Sequence, residues 1–82
     1  MARKHPKVTE RKLGKHKALG LAHEETNHIE VDPRQDGKEY LDTMIHEWMH
    51  LQYPHWEERD VARESKKLTD FLWKNNVRII RT

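Results

Sequence analysis

The stretch from Asp36 to Pro54 limits this chain's fold more than any other. Asp36-Gly37-Lys38-Glu39 has the form of a capping box, in which Asp36 accepts from the amide three residues on and Glu39 can reach back. Leu41, Met44, Ile45, Trp48 and Leu51/Gln52 then recur at the i, i+3, i+4, i+7 spacing of a core-facing helical stripe. Pro54 disfavours helix at Tyr53 and stops the element. The spacing predicts a helix over about 39–53, with Asp42, Thr43, His46, Met49, His50 and Tyr53 turned towards the other side.

That other side carries His46-Glu47-x-x-His50. Residues four apart on a helix lie one above the other, so both imidazoles can point at one spot. Two imidazoles held this way are a ready pair of ligands for Zn²⁺. Glu47 lies about 100° around the helix from His46. From there it can reach a water held by the metal without being a ligand, which is the place of a general base in metal-assisted hydrolysis.

The remaining segments read as an α+β chain. Residues 18–32 form a predicted hairpin: a short apolar run, Ala18 to Ala22, a polar turn, and His28-Ile29-Glu30-Val31-Asp32, which alternates as a half-buried strand does. Ile29 and Val31 are expected to face the core, with His28 and Glu30 facing outward or towards a groove. Pro33 ends the strand. A second helix over about 57–74 has a stripe of Val61, Ser65, Leu68 and Leu72. Asn75-Asn76 suits its end, and 77–81 suits a final strand returning to the hairpin. The sequence thus predicts a small antiparallel sheet packed on two main helices.

A catalytic zinc site usually has three protein ligands and one open position. Running the second helix's stripe backwards from Val61 lands on Glu58. A carboxylate at the head of a buried stripe needs a partner, because an unpaired buried charge is costly. Glu58 is therefore the favoured third ligand, with Glu57 and His55 as alternatives. Acids also favour the first turn of a helix through its dipole, with no metal involved. The long pattern HExxHxxGxxH fails here, since Tyr53 stands at its Gly and Trp56 at its last His.

Composition sets the outer limits. A chain of 82 residues makes one small domain and buries only about 60–65% of its unfolded surface. Hydrophobic residues are 34% and charged residues 37%, so a bound metal would be a useful staple. The absence of Cys excludes disulfides and thiolate sites and permits a reducing cytoplasm. No apolar run approaches the roughly 18 residues of a membrane span, and no secretory signal is visible. Residues 1–17 carry seven Lys/Arg against one acid, and residues 18–82 carry a net −4. The first segment is expected to be a basic, partly mobile arm with a short helix or turn at Val8–Leu13, and 18–82 to be the metal-binding domain. The arm could meet phosphate, but no aromatic is interleaved to stack on bases, and a nucleic-acid role is not favoured.

Three blocks together carry a resemblance: Ile29-Glu30-Val31-Asp32-Pro33-Arg34, Leu41-Asp42-Thr43-x-Ile45-His46-Glu47-x-x-His50, and Pro54-x-x-x-Glu58-x-x-Val61. They are similar to very small metallopeptidase-like proteins of phages and bacteria, with a zincin motif of gluzincin type. The resemblance spans about residues 18–73. It implies a minimal zincin-like domain holding one Zn²⁺ through His46, His50 and Glu58, with Glu47 as the base. It further implies that the strand Ile29, Glu30, Val31 runs beside the motif helix and aligns an extended peptide or protein substrate. Tyr53, His55 or His28 could stabilise an oxyanion, and the residues do not choose among them. The resulting expectation is a zinc-dependent peptidase acting in the cytoplasm, a host's if phage-encoded. The rival readings are a zinc-stabilised binding module without catalysis and a basic nucleic-acid adaptor.

Overall fold

The computed structural model describes residues 4–14 and 18–80. The chain is α+β: β1 (Lys7–Glu10), β2 (Gly20–His23), β3 (His28–Val31), α1 (Gly37–Gln52) and α2 (Glu58–Lys74). The sheet is mixed, not purely antiparallel. Its order is β1-β3-β2, with β2 antiparallel and β1 parallel to the central β3.

The hairpin β2–β3 forms where alternation predicts it. Asn27, at φ 52°, takes the left-handed turn position that Asn tolerates. Ile29 and Val31 point into the core, and Glu30 points to the outer face of the sheet. There Arg11 donates to both Glu30 carboxylate oxygens, and the ring of His23 lies 2.7 Å from one of them. These partners hold the Glu30 carboxyl down at about 2.

The N-terminal segment departs from the expected arm. Val8–Leu13 forms no helix. Lys7–Glu10 pairs in parallel with His28–Val31, and Leu13 is fully buried, at 0% exposure. The strand carries no apolar alternation because it is charged and largely exposed, and its pairing partner lies about twenty residues away. The expected mobility of residues 1–3 and 15–17 falls outside the described residues.

Asp32 makes this arrangement possible. The chain must pass from the β1 edge to the β2 edge around the end of β3. Asp32 sits at that end, and its N–H donates to the Leu19 carbonyl on the β2 side at 2.9 Å. Its carboxylate accepts from the Leu13 N–H on the other side, also at 2.9 Å. Arg34 donates to both carboxylate oxygens, which with the Leu13 amide holds the carboxyl well below its usual range.

α1 is the centre of the packing. Tyr40 and Leu51 meet Ile29 and Val31 of the sheet, while Leu41, Ile45 and Met49 meet Val61 of α2. Met44 and Trp48 bridge the two clusters. Burial on two flanks explains why Met49, expected on the open side, is inside. A further flank, with Thr43, His46, Glu47 and His50, lines a polar cleft. Asp36 caps α1 by accepting from the Glu39 N–H at 2.9 Å.

On α2 the buried stripe is Val61, Ser65 and Thr69, because Leu68 is 38% exposed and Thr69 only 2%. The small polar pair fits close helix contact, and the Thr69 hydroxyl is satisfied by the Ser65 carbonyl at 2.7 Å. Past the C-cap Asn75 the chain turns at Asn76, φ 62°, with the Val77 N–H reaching back to Leu72 and the Asn76 N–H to Trp73, a Schellman arrangement. The expected strand at 77–81 does not form over 77–80, and Arg81 lies outside the described residues. Instead Arg78 stacks on the Trp73 ring at 3.5 Å, and Ile79 packs on both core clusters. Among the described residues no helix is long and apolar enough to cross a membrane.

If Leu13 belongs to the core, Leu13→Ala will destabilise the domain by about 2–5 kcal/mol in urea unfolding. An arm outside the fold would leave the midpoint unchanged.

Candidate metal centre

Three side chains from two helices converge on one point. His46 and His50 project from adjacent turns of α1, their Nε2 atoms 3.2 Å apart. Glu58, the first residue of α2, gives one carboxylate oxygen to each: Oε1 lies 2.6 Å from His46 Nε2 and Oε2 2.7 Å from His50 Nε2. Among the described residues this is the group of His and acid side chains close enough to hold a metal.

The donor set fits a divalent cation. Two ligands of a tetrahedral centre with bonds of ~2.05 Å lie ~3.3 Å apart, and the imidazole nitrogens are already at that spacing. Two lone pairs and a carboxylate aimed at one point repel unless a positive charge sits among them. Protons can supply it, and the short N···O distances are those of charge-assisted hydrogen bonds. A metal ion supplies it with all three groups deprotonated.

The surrounding shell orients these groups. Ser65 is 1% exposed and its Oγ lies 3.5 Å from His46 Nδ1 and 3.2 Å from the Ala62 carbonyl. With its proton on that carbonyl, the hydroxyl can accept only from Nδ1–H. This favours the tautomer that leaves the His46 Nε2 lone pair free for a metal.

Glu47 lies in the same cleft, half-buried. Burial raises its carboxyl pKa; nearby His46 and His50 oppose the rise and Glu58 adds to it. β2 passes directly over it. A Cβ on Gly20 would come within 2.6 Å of Thr43 Cγ2 and 3.0 Å of Glu47 Cγ, so the strand can lie this close only with glycine there. Gln35 fastens the same approach. It accepts from the Thr43 hydroxyl at 2.6 Å and donates to the Leu19 carbonyl at 3.2 Å and the Asp32 carbonyl at 2.9 Å.

The other residues singled out from sequence lie elsewhere. Glu57 caps α2 from an exposed position and pairs with Arg59. Tyr53 stacks on Trp56, with ring centroids 4.3 Å apart. His55 is exposed, and His28 stacks on His23 and bonds Thr9 across the sheet. None of the four lines the cleft around Glu47. The proposed substrate strand also needs correction. Ile29, Glu30 and Val31 belong to the central strand, whose two edges are already paired with β1 and β2, so no substrate can be added there. The open edge beside the site is β2.

Gly20, Thr43 and Ser65 were missed as site residues. A glycine within a short apolar strand is a signal of close backbone approach and could have flagged the first. No family model, curated protein or solved structure matches the chain.

Ser65→Ala should lower zinc affinity about 10-fold, measured by competition with a chromogenic chelator, while Ser65→Thr keeps most of it. Equal affinity in all three proteins would remove the hydroxyl's orienting role.

Proposed function

We propose that this protein is a zinc-dependent, peptidase-like hydrolase with a minimal zincin-like site. The observation that carries the reading is the meeting of His46, His50 and Glu58 beside a half-buried carboxyl, Glu47, that is not one of the three. When bound, the ion supplies Lewis-acid polarisation of a carbonyl and lowers the pKa of a water.

The chain's own groups supply the rest. His46 and His50 act as neutral imidazoles, the first oriented by Ser65. Glu58 closes the grip from α2 and so ties metal binding to the docking of the two helices. Glu47 takes a proton from the attacking water and delivers it to the leaving amine.

β2 is suited to hold the substrate. Leu19 accepts from the Asp32 N–H, which sets the alternation: Leu19, Leu21 and His23 bond towards β3. Gly20 and Ala22 therefore turn their N–H and C=O groups to the open edge. An extended peptide can pair there, as in β-strand addition. The cleft beside this edge holds about 490 Å³ and continues along Ala22 into a second hollow of about 310 Å³. A cytoplasmic place of work belongs to the same reading, since a chain without Cys needs no oxidising compartment.

A second reading keeps the zinc and drops the turnover. It draws on the openness of the cleft, which among the described residues no further element covers from the side opposite β2. One variant separates the two. Glu47→Gln should retain about one zinc per chain by elemental analysis and lose at least about 100-fold in the hydrolysis of a quenched fluorescent peptide. Unchanged hydrolysis in that variant would overturn the catalytic reading.

A further inference from the structure

We infer that the stacked rings of Tyr53 and Trp56 position the third ligand, fixing the start of α2 so that Glu58 meets His46 and His50. The inference rests on the proposed metal centre, though not on turnover, and gives a role to two aromatic residues that the cleft itself does not use.

The start of α2 is weakly held by its own residues. Glu57, the N-cap, makes no side-chain capping bond, and a first turn without one leaves its amides to solvent. The Glu58 side chain is 67% exposed. An exposed carboxylate on an uncapped first turn has many orientations open to it. Glu58 nevertheless sets one oxygen against each imidazole.

The segment just before it is braced. Pro54 takes Tyr53 out of the helix and occupies the second place of a turn, which proline favours. The Trp56 N–H closes that turn on the Tyr53 carbonyl at 3.0 Å. The turn brings its first and last side chains together: the two rings lie 14° from parallel with centroids 4.3 Å apart. Trp48 meets Tyr53 at an interplanar angle of 85°, an edge contact with centroids 6.4 Å apart. Trp48 itself packs on both core clusters, so the stack is backed by the core.

Trp56 carries this brace into α2. It packs on the cluster that contains Met49 and Val61. Trp56 precedes the N-cap, and Val61 is the fourth residue of the helix. Those are the two places of a hydrophobic staple, which sets the angle at which a chain enters a helix. A staple and a ring stack therefore hold the chain where a capping bond is missing, two residues before Glu58.

Neither ring lines the cleft, so an effect on the metal passes through the backbone. It could run forward to Glu58 or back to His50, since the Tyr53 N–H also bonds the Met49 carbonyl at 2.8 Å. The forward route is favoured, because His50 lies inside α1 between buried Met49 and Leu51, which hold it without Tyr53.

A double-mutant cycle on zinc affinity tests that route. The full-length unaltered protein, Tyr53→Ala, Glu58→Ala and the double variant are titrated with Zn²⁺ against a chromogenic chelator, at a temperature where circular dichroism shows all four folded. Tyr53→Ala should weaken zinc about 10-fold, and Tyr53→Phe, which keeps the ring, should hold most of the affinity. On the Glu58→Ala background Tyr53→Ala should cost less than about twofold, because no carboxylate is left to position. Trp56→Leu, which keeps an apolar staple and removes the ring, should show the same dependence on Glu58. A loss of equal size in both backgrounds gives Tyr53 a merely structural role or one through His50 and overturns the inference, as does full affinity in Tyr53→Ala. Zinc binding that is absent from the unaltered protein, or intact in Glu58→Ala, removes the proposed centre and this inference with it. Hydrolysis is scored separately: an inert protein that shows the coupling refutes the catalytic reading and keeps this one.

Discussion

Two imidazoles and a carboxylate cannot share one point without a positive charge between them, and the rest of this small fold is arranged around that requirement. α1 brings His46 and His50 into register simply by being a helix. Glu58 reaches them because α2 begins where α1 has ended, six residues after Gln52. The same contact joins the two helices, so the charge that satisfies the site also fastens the fold. In a domain this short the link matters, because ion binding adds directly to folding free energy.

The packing explains why the site lies where it does. α1 is flanked on one side by the sheet and on another by α2. A further strip of its surface carries Thr43, His46, Glu47 and His50 and lines a polar cleft. β2 roofs one border of the strip, admitted by Gly20 and tied down by Gln35. Asp32 in turn holds the ends of β1 and β2 around β3. The chain from Leu13 through Asp32 and Gln35 to Thr43 therefore sets the width of the cleft, although none of its members is a ligand.

The parts of this arrangement that the sequence made legible are those governed by local periodicity. The stripe from Leu41 to Leu51 and its bounds at Asp36 and Pro54 follow from helix geometry and capping. The pairing of His46 with His50 follows from a four-residue spacing. Glu58 follows from extending the stripe of α2 one turn back from Val61, and it does lie beside His46 and His50, although the buried residue further along is Thr69 and not Leu68. Small polar residues under a helix carry no hydropathy signal, and only the closeness of the two helices explains them.

The parts that were not legible depend on contacts between distant residues. The parallel pairing of Lys7–Glu10 with β3 gives the segment no apolar alternation to read, because the strand is largely exposed and charged. Its pairing beside β3 puts β3 at the centre of the sheet, which closes the edge at Ile29–Val31 and leaves the edge of Gly20–His23 open beside the cleft. One unread strand thus changed which strand is free to pair beside the cleft. The meeting of His46, His50 and Glu58 does not depend on that strand, because helix geometry and not sheet order sets it.

The most direct measurement is X-ray absorption at the zinc edge on the protein loaded with one equivalent of Zn²⁺. The account predicts a first shell of nitrogen and oxygen only, with scattering from two imidazoles at about 2.0–2.1 Å, which falls to one imidazole in His50→Ala. A spectrum of hydrated zinc with no imidazole signal, or one unchanged by that substitution, would contradict it.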